Sequence, residues 1–78
     1  KFLSKLPKDL RLRIIQAVDK IAKNKIKGLD VNLLSLPYTL YRCRIGRVRI
    51  LFQKRDNENY ILDIGFRGKI YKKLKNYF

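Results

Sequence analysis

The sequence predicts an α+β fold: two N-terminal helices packed on a small antiparallel sheet and followed by a short C-terminal helix. Three observations carry this. Between Leu10 and Ala22 the apolar residues recur three and four apart (Leu10, Ile14, Val18, Ile21, Ala22), with Arg11, Arg13, Lys20 and Lys23 elsewhere, as in an amphipathic helix. From Tyr38 to Phe52 the period shortens to two. Tyr41, Cys43 and Ile45 alternate with Arg42 and Arg44, and Val48, Ile50 and Phe52 alternate with Arg47, Arg49 and Leu51. After Gly68, Ile70, Tyr71 and Leu74 among lysines read as a basic amphipathic helix ending at Tyr77 and Phe78.

Residues 1–27 read as helix, punctuated at Pro7. Phe2, Leu3 and Leu6 form a short apolar patch before it; Pro7 suits a first helical turn, and Asp9 complements the positive end of the helix dipole. The pieces make a helical hairpin or a kinked pair that ends between Asn24 and Gly28, with a stripe that must be buried against another layer. Residues 28–37 read as a connection stopped by Pro37. Gly46 supplies the tight turn of a hairpin with one apolar and one arginine face. Gln53 to Asn59, polar throughout, read as a second turn, and Tyr60 to Phe66 as a third strand in a central position. The whole chain, 1–78, is expected to form one domain.

Lys and Arg number 20 against 6 Asp and Glu, with no histidine, so the net charge is +14. A globule so charged carries a positive field that draws in polyanions, nucleic acid first and an acidic protein second. A hydrophobic fraction of 46% sets it apart from a disordered polycation. With no histidine and one cysteine, a structural zinc site and an internal disulfide are excluded, and no metal is expected. A lone thiol fits a reducing cytoplasm. No apolar run approaches the roughly 18 residues of a membrane span, and no leader pattern precedes Pro7, so no membrane partner is expected. Without any methionine, the segment is expected to lack its natural start.

The chemistry concentrates on the arginine face of the hairpin. Arg42 and Arg44 lie two apart on one strand and Arg49 on its partner, so a turn at Gly46 brings the three guanidinium groups together. Like charges facing each other across strands destabilise a sheet, and a chain that retains them has an anion to bind. Arg67, at the end of the third strand, and Tyr71, one turn on, close the same patch. Guanidinium forks fit phosphate oxygens, and a tyrosine ring stacks on a base. Cys43 falls within the apolar alternation and reads as a buried, inert thiol.

The run Leu6-Pro7-Lys8-Asp9-Leu10-Arg11, the run Tyr41 to Phe52 and the run Ile64-Gly65-Phe66-Arg67-Gly68-Lys69-Ile70-Tyr71 together resemble the RelE/ParE superfamily of toxin–antitoxin systems over nearly the whole chain. The resemblance implies a RelE-like fold whose first edge strand, preceding the helices, is missing here. It implies a toxin that cleaves mRNA in the ribosomal A site without metal or other cofactor. An acidic, RelB-like antitoxin would hold that toxin in a hetero-oligomer in the cytoplasm. By the same resemblance Arg49 and Arg67 stabilise the phosphate transition state, Tyr71 stacks on an mRNA base, and Arg42, Arg44, Arg47, Lys69 and Lys72 bind RNA. Some relatives carry lysine in place of Arg42 and Arg44, or histidine in place of Phe66; arginine does not exchange its proton, so the general base is left among Lys69, Lys72, Tyr71 and the ribosome. The alternative is a non-catalytic basic module, a ParE-like gyrase inhibitor or an RNA-binding protein.

Overall fold

The structure is a computed structural model that describes residues 2–74; the expected end of the tail helix at Tyr77 and Phe78 lies outside them. A 3₁₀ turn, Leu3–Lys5, precedes α1 (Lys8–Ala22). Strands β1 (Asp30–Ser35), β2 (Leu40–Ile45), β3 (Val48–Arg55) and β4 (Glu58–Phe66) follow, and then α2 (Arg67–Leu74). The four strands pair antiparallel in chain order, β1-β2-β3-β4. The α+β class and the hairpin at Gly46 are as expected.

Four details differ, each for a local reason. The first N-terminal helix is a single 3₁₀ turn, because Leu6, preceding proline, is held extended at ψ 152° and so short a segment cannot propagate an α-helix. Within the expected connection, Asp30–Ser35 is a strand paired with β2. The second turn shrinks to Asp56 and Asn57, both at positive φ (53° and 67°), the two-residue geometry whose twist matches the flanking strands. The strand expected to be central, β4, lies at the edge; β3 is central, and its residues Val48 to Phe52 are all buried.

Asn24, at φ 57°, ends α1. The Lys25 N–H donates to Lys20 O at 2.8 Å and the Asn24 N–H to Ile21 O at 3.0 Å, the paired bonds of a left-handed helix cap. From β4, the Asn59 amide donates to Ile21 O (3.0 Å) and to Asn24 Oδ1 (3.1 Å), which ties the helix end to the sheet. Ile14, Ala17 and Ile21 of α1 bury against Cys43, Ile45, Val48, Ile50 and Phe52, the apolar face expected of the hairpin. Alternation therefore turns Arg42, Arg44 and Arg49 away from α1.

Helix α2 covers part of that arginine face. Gly65 pairs with Arg49 and shares its face, and a Cβ at Gly65 would come within 3.2 Å of Ile70 Cδ1, so the bare backbone admits the helix. An ion pair between Lys73 Nζ and Asp63 Oδ2 (3.8 Å) adds a second link from α2 to β4. Among the described residues, no helix is long and apolar enough to cross a membrane.

Cys43 is fully buried between the layers. Burial, chiefly, and the nearby Asp30 carboxylate push its thiol pKa up, while Arg42 partly opposes them. Iodoacetamide is expected to leave the native protein unmodified and to alkylate it in denaturant; fast native alkylation would place the thiol at the surface. Because the folded pKa lies above the unfolded one, this thiol's contribution to stability is complete below the unfolded value and is lost as pH rises through the folded one.

Candidate active site

Sheet register aligns four residues in one row: Asp30 opposite Arg44, Arg44 opposite Arg49, and Arg49 opposite Gly65. Two guanidinium groups directly opposed across β2 and β3 repel, and Asp30 relieves this from the outer strand, its Oδ2 accepting from Arg44 Nε at 2.7 Å. Both side chains are about half exposed, so the pair contributes no more than about 1 kcal/mol; its consequence is a fixed direction for Arg44.

Arg49 is held differently. It is 6% exposed, and its Nη1 donates to Gly46 O at 2.8 Å and to Val48 O at 3.0 Å, which pins the guanidinium to the β2–β3 turn. Its Nε is buried without a hydrogen-bond partner among the described residues, a donor whose desolvation none of them offsets. Gly46, first of the two turn residues, sits at φ 57°, which glycine reaches without strain.

The same turn meets both helices. The Arg67 N–H, at the start of α2, donates to Arg47 O at 3.0 Å. Arg47 in turn lies over the Phe66 ring, 5.1 Å from its centroid. From α1, Arg13 completes a cavity of about 620 Å³ lined by Arg13, Asp30, Arg44, Gly46, Arg47, Arg49 and Arg67. Five guanidinium groups against one carboxylate give it a strong positive charge, with forks of the shape that suits phosphate oxygens.

Of the residues expected from sequence, Arg44, Arg47, Arg49 and Arg67 line this cavity. Arg42 belongs to the next row, opposite Asn32 and Leu51. It lies largely buried, its Nη1 3.9 Å from Asp30 Oδ1 and without a hydrogen bond. Tyr71 is on α2 one turn beyond Arg67, exposed and outside the cavity lining. Lys69 lines a separate cavity of about 420 Å³ beside Phe2 and Phe66, and Lys72 is exposed on α2. Sequence reasoning missed Arg13, which reads as one of several solvated charges on α1, and Asp30, which sits in the segment read as a connection. Among the described residues no group of three His, Cys, Asp or Glu side chains could hold a metal ion.

No protein-family model matches the sequence, and no curated protein matches it. The structure is similar to a chain in the crystal structure of the RelB–RelE antitoxin–toxin complex from Methanococcus jannaschii, with a TM-score of 0.72, 20% identity, and coverage of 91% of this chain and 86% of that one. With most of each chain superposed and both layers included, this likeness gives the chain an α+β fold of the RelE kind.

Proposed function

We propose that this chain is the toxin of a toxin–antitoxin pair, a single-domain endoribonuclease that cleaves mRNA on the ribosome. The observation that carries the reading is the convergence of five arginines from α1, β2, the β2–β3 turn, β3 and α2 on one cavity. Binding a polyanion requires charge; stabilising the charge that builds on one phosphate in the transition state requires donors fixed around a point. In this reading the RNA's own 2′-OH attacks the adjacent phosphate, and Arg49, pinned to the turn, and Arg67 face the oxygens on which charge accumulates. Arg44 and Arg47 hold the substrate backbone, and Arg42, largely buried in the next row, adds its charge from behind Asp30. Tyr71, Lys69 and Lys72, exposed on α2 beyond Arg67, would meet the substrate outside the cavity, Tyr71 by stacking on a base. The similarity to a chain of an antitoxin–toxin complex supports a RelB-like antitoxin as the partner in a hetero-oligomer; the net charge of +14 favours an acidic one, and the lone thiol a cytoplasmic setting.

Inducing the protein in cells and mapping mRNA 5′ ends tests the reading: ends in frame with the ribosomal A site are expected, and growth arrest with intact mRNA would favour the non-catalytic module. Affinity for ribosome-bound mRNA is expected to fall linearly with salt on logarithmic axes, by about 0.7 per phosphate contact, and Arg44→Ala should reduce the slope by about that amount. A flat response would leave the arginines as surface charge.

A further inference from the structure

A second cleft opens from the arginine cavity. It has a volume of about 300 Å³ and shares Arg13, Asp30 and Arg44 with the cavity, so the Arg44–Asp30 ion pair stands between the two as a common wall. Its outer side is a single face of α1, on which Arg13, Gln16, Ala17 and Lys20 recur at positions i, i+3, i+4 and i+7. Its inner side is the bend from Gly28 into β1 and the end of β2. Ala17 and Ile45 are buried and give it an apolar floor together with Leu29, while Arg13, Gln16 and Lys20 are exposed at the rim.

We propose that this cleft binds the nucleotide next to the pair that flanks the cleaved phosphate, so that the site is an extended trough rather than a single anion hole. The chemistry of the lining matches the parts of such a ligand. An apolar floor accepts a base face. The Gln16 amide, which carries both donors and an acceptor, reads a base edge. Lys20, a compact point charge on a flexible stem, and Arg13, shared with the arginine cavity, receive the next phosphate. Gly28 has no heavy atom within 4 Å of where its Cβ would lie, so the mouth of the cleft is open.

The proposal rests on the arginine cavity being the phosphate site, and the test separates the two. The probes are a dinucleotide and a trinucleotide of single-stranded RNA with 2′-O-methyl riboses, which cap the attacking hydroxyl. Each is titrated by NMR into the wild-type chain, into Arg47→Ala and into Gln16→Ala/Lys20→Ala; of the two spaces, Gln16 and Lys20 line the cleft alone, whereas Arg47 lines the cavity alone. The trinucleotide is expected to bind about tenfold more tightly than the dinucleotide, about the gain from one added charged hydrogen bond. Its arrival should shift the amides of Gln16, Leu29 and Ile45, which the dinucleotide leaves in place. The Gln16→Ala/Lys20→Ala variant should lose that gain and keep the dinucleotide affinity, while Arg47→Ala should weaken both probes. Equal affinity for the two probes, or a gain that survives Gln16→Ala/Lys20→Ala, would overturn the cleft with the cavity intact. Dinucleotide binding indifferent to Arg47→Ala would overturn both.

Discussion

Replacing Arg67 with alanine is expected to lower the single-turnover cleavage rate by about 10²–10³, as loss of one preorganised donor does, while substrate affinity changes little. Of the two arginines read as transition-state donors, Arg67 is the cleaner probe. It is exposed, and its link to the rest of the chain is a backbone bond to Arg47 O that alanine retains. Arg49, by contrast, is 6% exposed and holds two backbone carbonyls of the β2–β3 turn, so its removal would disturb the turn together with the chemistry. Arg67→Lys should recover only part of the rate, since an ammonium supplies charge without the planar fork. A fall in affinity matching the fall in rate would make Arg67 a binding group and withdraw its role in the chemical step.

Phe52→Ala is expected to cost about 3–5 kcal/mol, the range for deleting a fully buried aromatic side chain. Phe52 is 1% exposed and stacks on Tyr41 with ring centroids 5.4 Å apart. A chain of 78 residues has a total stability on the order of 4–12 kcal/mol at ordinary per-residue values. The variant should therefore lose a large share of its stability, read as a strongly lowered urea midpoint. A midpoint near that of the wild type would mean that the layer between α1 and the sheet is not where stability resides.

What the sequence revealed of this fold is what local spacing encodes. The three- and four-residue repeat of α1 and the alternation around Gly46 each commit one face to the core, so the division of the hairpin into Cys43, Val48 and Ile50 on one side and Arg42, Arg44 and Arg49 on the other was legible. β1 was not. Its residues are mostly exposed at the sheet edge, so no buried face imprints a period of two, and Gly28 and Pro37 punctuate it like a loop; hydrogen bonding to the neighbouring β2 makes it a strand. With β1 went Asp30, the carboxylate that steadies Arg44. Arg42 shows a finer limit: alternation assigns its face correctly, but register puts it in the row of Leu51 instead of that of Arg49. Arg13 is the converse case, a helix charge that gains its place only when α1 docks beside the turn.

The central claim is that the arginine cavity stabilises attack by the RNA's own 2′-OH on the neighbouring phosphate. The most direct measurement is single-turnover cleavage of ribosome-bound mRNA carrying a 2′-deoxy residue at the mapped cleavage position, compared with the all-ribose message. The account predicts cleavage of the ribose message to a 2′,3′-cyclic phosphate end, and no cleavage at the 2′-deoxy position even though that message still binds. Cleavage of the 2′-deoxy message at a comparable rate would contradict it.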